Sequence, residues 1–161
     1  MGLFSPKAPK ISRVELEELK GLMKQVQETT KLVNTTTNPE VYFGRLHFLF
    51  DLFLKLKQFE KYNVFTGSTP TDDYNKLSRE IEKSVNDFIK RTYEKQMDKM
   101  STLKSDKAKE NSFNKYAEKM RTAFKNADTY WSGTLSSPHY TGKLYTSANL
   151  SYLESILNPK K

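Results

Sequence analysis

Apolar side chains recur at three- and four-residue intervals along most of this chain, which is the period of one face of an α-helix. The first such stretch opens at Ser12-Arg13-Val14-Glu15, a capping-box pattern in which a serine hydroxyl and a glutamate carboxylate satisfy the first backbone donors. Leu16, Leu19, Met23, Val26, Thr30 and Val33 then form a narrow stripe, and Asn34 to Asn38 ends it. Asn38-Pro39-Glu40 starts a second helix, predicted to reach Tyr62, with asparagine as the cap, proline at the first position and a carboxylate at the positive end of the dipole.

This second helix has the strongest pattern. Glu40, Gly44, His47, Asp51, Lys55 and Gln58 make one thin polar stripe, and Val41 to Phe59 is otherwise almost wholly apolar, so neighbours should cover it on several sides. A membrane span is the rival reading. Arg45, His47 and Asp51 interrupt the run before it reaches the ~18–20 apolar residues a bilayer crossing needs, which disfavours it.

A turn around Gly67 and Pro70 precedes Thr71, Asp72 and Asp73, which open a third helix. From Tyr74 to Leu103 the period continues with no glycine or proline, predicting one helix of roughly 33 residues over 71–104, about 50 Å long. Ser105 and Asp106 cap a fourth, whose stripe is Phe113, Tyr116, Ala117, Met120, Phe124, Ala127 and Trp131. Periodicity stops over 132–146, a loop still rich in aromatics, and Thr146 or Ser147 caps a short last helix carrying Leu150, Leu153, Ile156 and Leu157. The expected fold is all-α: an antiparallel bundle of four long helices with a fifth short C-terminal helix and an aromatic-rich loop. Residues 1–11 read as a flexible N-terminal arm and 12–158 as a single helical-bundle domain.

Composition narrows the chemistry. Cysteine is absent, which removes disulfides, thiolate catalysis and cysteine-based zinc sites. The first residues lack the charged and apolar regions of a signal peptide, and Pro6 stands where a myristoylation pattern wants Ser or Thr, so a cytoplasmic protein is expected. No phosphate-binding glycine loop, dinucleotide fingerprint, nucleophile elbow or calcium loop occurs, and Ser101/Lys104 and Ser112/Lys115 match Ser-x-x-Lys about as often as chance allows. His47 and Asp51, one turn apart, are half a metal or proton-transfer site at most. A non-enzymatic protein with no cofactor and no metal is therefore expected, although an enzyme using His139 with Tyr140 or Tyr145 stands as a remote alternative.

Two surfaces are candidates for binding. The first is the 130–145 segment, where Trp131, His139, Tyr140, Lys143 and Tyr145 could grip a protein partner, or could instead fold over the bundle end and seal it. The second follows from the formal charge of +8, which is spread evenly except over 90–109. There seven cations face three carboxylates, a net +4 at the tip of the helix-three/helix-four hairpin. Arg91, Lys95, Lys99, Lys104, Lys107 and Lys109 would suit sequence-tolerant binding of nucleic acid or another polyanion, unless neighbours such as Asp87 with Arg91 and Lys90 with Glu94 simply lace a solvated helix pair. Lysine far outnumbers arginine, which argues against base-specific readout. The stripe of the first helix leaves a homodimer open beside closure within one chain.

Overall fold

The structure, a computed structural model, describes residues 8–134 and 144–158, with side chains described as far as Ala127 and again from Leu144. Most of the expected N-terminal arm, and 135–143 of the expected aromatic loop, lie outside the described residues. Among the described residues six α-helices pack together: α1 (Arg13–Thr35), α2 (Pro39–Lys57), α3 (Pro70–Arg79), α4 (Ile81–Ser101), α5 (Asp106–Thr134) and α6 (Ser147–Leu157), with a 3₁₀ turn at Glu60–Tyr62. The described residues contain no strand, and no helix among them is long and apolar enough to cross a membrane.

Helix starts follow the capping chemistry. Glu15 N–H donates to Ser12 Oγ at 3.1 Å, and Asn38 Oδ1 accepts from the N–H groups of Glu40 and Val41 at 3.0 and 3.2 Å. Thr69 with Asp72 and Thr146 with Asn149 close two further capping boxes. The helix ends differ more. α2 stops at Lys57 rather than Tyr62, because the chain tightens into three-residue hydrogen bonds and Asn63 turns to a left-handed φ of 56°.

α2 is the centre of the assembly, touched by α1, α3 and α5. Tyr42, Phe43, Leu46, Leu49, Phe50, Leu52, Phe53 and Leu56 are buried along it. Phe43 meets Phe124 of α5 edge-on at 4.9 Å, Tyr42 stacks on Phe88 of α4 at 4.0 Å, and Phe50 meets Tyr74 of α3 at 5.1 Å. Small side chains at Ala117, Ala123 and Ala127 on the inner face of α5 make room for these rings.

The expected single third helix is two helices, broken at Glu80, whose φ of −95° and ψ of 7° leave the helical region. The aromatic pairs give the reason. Tyr42 and Phe50 lie eight residues or about 12 Å apart on α2, whereas Phe88 and Tyr74 would lie about 21 Å apart on one straight helix. The break at Glu80 falls between the two contacts. No glycine or proline marks the bend, so packing overrides local propensity here.

The buried face of α1 is also rotated from expectation. Leu19, Leu22, Val26, Thr29 and Val33, at alternating spacings of three and four, face inward, while Met23 and Thr30 are exposed. This seam is spent within the chain, against α2.

Candidate functional site

Up to Ile89 the inner face of α4 is apolar, with Ile81, Val85, Phe88 and Ile89 all buried. One turn further on, the buried positions become Thr92 and Gln96. They meet α5 through polar rungs: Thr92 Oγ1 lies 3.0 Å from Tyr116 Oη, and Gln96 Nε2 donates to Ser112 Oγ at 3.0 Å. The pairing of 92 with 116 and 96 with 112 shows the chain reversing between the two helices. Buried polar groups that satisfy one another hold helices in register without closing the space beside them.

A groove of about 630 Å³ opens there, bounded by the α1–α2 turn (Thr37, Asn38 and Pro39), α4 and α5. Thr92, Gln96, Ser112, Tyr116 and Met120 line its inner part, and Lys95, Lys99, Lys115 and Lys119 line its rim. The lysines come in two pairs, each four residues apart and so on one helical face. Among the described residues the ion pairs are Lys55 with Asp51 and Arg121 with Glu154, so none of the four rim lysines has a carboxylate partner there. Lys95 Nζ instead donates to Thr37 Oγ1 at 2.8 Å, tying α4 to the α1–α2 turn. Burial pushes the Tyr116 phenol up from its usual value, so its hydroxyl stays protonated at neutral pH.

The six cations singled out from the sequence are thus placed in three different settings. Lys95 and Lys99 line the groove. Lys104 and Lys107 are exposed and Lys109 half-buried around the α4–α5 connection, and none of these three borders the groove. Arg91 points the other way: its Nε and Nη2 donate to Thr36 O at 3.1 and 2.9 Å, and Nη2 donates to Val33 O at 3.0 Å, capping the carbonyl end of α1. Its guanidinium also sits 5.6 Å from the Phe88 ring centre. Lys115 and Lys119 lie beyond the basic 90–109 stretch in sequence and join Lys95 and Lys99 only in the fold. Their signal was a four-residue lysine repeat flanking the Phe113, Tyr116 and Met120 stripe.

Of the aromatic segment, Tyr145 is only 7% exposed, and its ring packs 5.2 Å from Phe124 and 6.4 Å from Phe43. Leu144 beside it is fully buried. Trp131 falls within α5, which runs on to Thr134, past the expected start of the loop. His139, Tyr140 and Lys143 lie outside the described residues. On α2, the polar stripe does reach the surface: Glu40, Lys55 and Gln58 are exposed, and His47 and Asp51 half-buried. Burial draws His47 below its ordinary value of 6.5, against the opposing pull of Asp51. Among the described residues no three His, Cys, Asp or Glu side chains gather as a metal would require.

Among the described residues these features define an all-helical protein with a lysine-rimmed groove between α4 and α5. Comparison with known protein families, with curated proteins and with solved structures finds no match for this chain.

Proposed function

We propose that this protein acts by binding phosphate-bearing anions in the groove between α4 and α5. The observation that carries the reading is the gathering of Lys95, Lys99, Lys115 and Lys119, with no carboxylate partner among the described residues, around a groove that also holds Gln96, Ser112 and Tyr116. Like charges held near one another repel, and an anion placed among them relieves that repulsion while gaining up to three donors from each ammonium. The polar side chains in the groove are lysines, hydroxyls and amides, which suit holding an anion rather than transforming it, so the proposed role is binding and not catalysis. A cytoplasmic location, where phosphate esters are abundant, belongs to the same proposal.

The groove replaces the hairpin tip as the contact surface, since Lys104, Lys107 and Lys109 stand apart from it. It is also favoured over the aromatic segment as a partner surface, because the ring of Tyr145 is occupied in the core.

The test is calorimetric titration with sodium tripolyphosphate at 50 and 200 mM NaCl. A unit charge pair at 4 Å in a water-like dielectric is worth about 1 kcal/mol, so removing two lysines should cost about 2 kcal/mol, roughly thirtyfold in affinity. Lys95→Gln/Lys119→Gln should lose that factor, wild-type binding should weaken at the higher salt, and Lys104→Gln/Lys107→Gln should bind as wild type does. Absence of binding at 50 mM salt, or equal losses in the groove and tip variants, refutes the proposal.

A further inference from the structure

The hydrogen-bond directions in the groove floor specify more than an anion. Thr92 has one hydroxyl hydrogen, and it is committed to Ile89 O at 2.8 Å. In the 3.0 Å contact between Thr92 Oγ1 and Tyr116 Oη either oxygen can be the donor, and a threonine hydrogen placed on Ile89 O leaves that part to the tyrosine. Tyr116 lines the groove, its Oη keeps lone pairs with which to accept, and no lysine of the groove is bonded to that oxygen. The neighbouring rung has a complementary direction. Gln96 Nε2 donates into Ser112 Oγ, so the serine keeps its hydrogen to give. The floor thus offers acceptors at Tyr116 Oη and Gln96 Oε1 and a donor at Ser112, with four cations on the rim.

A bare phosphate chain is nearly all acceptor at neutral pH. It satisfies the lysines and Ser112 but gives Tyr116 nothing. Resting on the proposed anion-binding role, we infer that the ligand is a compact molecule carrying two or more phosphates on a hydroxylated, sugar-like scaffold, with the phosphates on the lysines and a scaffold hydroxyl donating to Tyr116 Oη. The volume agrees with this. About 630 Å³ lies in the ordinary range for small-molecule sites, and the α1–α2 turn forms one wall of the groove. Lys95 has a part in it: its bond to Thr37 Oγ1 is the contact that an arriving phosphate exchanges, so occupancy of the groove reaches the turn that joins the first two helices.

Such a scaffold occurs both in nucleotides and in phosphorylated sugars, and the experiment separates the two. Affinities are measured by calorimetry, without divalent cations, for ATP against 2′,3′-dideoxy-ATP and for fructose 1,6-bisphosphate against pyrophosphate, with tripolyphosphate as the charge control. The hydroxylated member of at least one pair should bind about fivefold to tenfold more tightly, as one net hydrogen bond allows. In Tyr116→Phe that advantage should vanish, the two members of the pair binding within about twofold of each other. The pair that shows the effect identifies the source of the scaffold. The inference is overturned if neither pair discriminates, or if the preference survives in Tyr116→Phe. Tripolyphosphate binding without discrimination leaves the anion-binding role standing and removes the hydroxylated ligand alone, whereas failure of every probe to bind removes both. A melting temperature for Tyr116→Phe close to wild type keeps the comparison free of a folding defect.

Discussion

Replacing Arg91 with alanine should weaken the fold and leave anion binding intact, although this residue belongs to the basic cluster most prominent in the sequence. Its guanidinium gives three N–H groups' worth of contact to two carbonyls, Val33 O and Thr36 O, at the end of α1. A charge-assisted hydrogen bond contributes ~1.5–3 kcal/mol net when well sheltered. A cation at a helix carbonyl end adds ~0.3–1 kcal/mol. Arg91 is half-buried, and two of its bonds share one acceptor, so the lower end applies and the loss should be ~2–3 kcal/mol. For a chain of this length, that corresponds to a melting temperature lower by roughly 5–10 °C. Arg91→Lys keeps the charge but cannot span both carbonyls, and should recover about half. Thermal denaturation followed by circular dichroism measures all three proteins, and tripolyphosphate titration at a temperature where each is folded measures binding. The reasoning is refuted if Arg91→Ala melts within about 2 °C of wild type, or if it loses tenfold in affinity while keeping its stability.

Three other outcomes follow from the packing and electrostatics. Asn149 is wholly buried, closes the α6 capping box, and donates to Glu82 O at 2.9 Å and Asn86 Oδ1 at 2.7 Å. Asn149→Ala should cost ~2–4 kcal/mol and speed hydrogen exchange across α6 before the rest of the molecule; uniform exchange would contradict this. Phe50→Ala should cost ~3–5 kcal/mol in denaturant melts because the ring is fully buried against Tyr74, while Val14→Ala, at a position 80% exposed, should change stability by less than ~0.5 kcal/mol. His47 has a folded value drawn below its ordinary 6.5 by burial, so the unfolded chain takes up the proton first and stability falls as pH drops from 7 through 6.5 toward the folded value. His47→Gln should flatten that part of the stability profile, and an unchanged slope would reject burial of the neutral imidazole as its cause.

What could be read in advance was whatever rested on local chemistry. The caps at Ser12, Asn38 and Thr146 are short-range hydrogen bonds between neighbours in sequence, and the burial of α2 follows from a side-chain pattern with only one polar stripe. The break at Glu80 was illegible because it is imposed by the separation of Tyr42 and Phe50 on another helix. The inward turn of Leu22, in place of Met23, is likewise decided by what α2 presents to α1. The groove was half-visible. Lys95 and Lys99 stood out as a basic run, but Lys115 and Lys119 belong with them only once the hairpin aligns residue 92 with 116 and 96 with 112. Net charge over a window of sequence counted Arg91 and the tip lysines equally with them, since it does not record which way a side chain points.

Lysine footprinting tests the central claim most directly. The protein is labelled with an amine-reactive acetyl reagent, with and without saturating tripolyphosphate, and modification at each lysine is read by mass spectrometry. Lys95, Lys99, Lys115 and Lys119 should be protected together by the ligand, with Lys104, Lys107 and Lys109 labelled equally in both samples. Protection at the tip with none in the groove, or weak protection spread over every exposed lysine, contradicts the account.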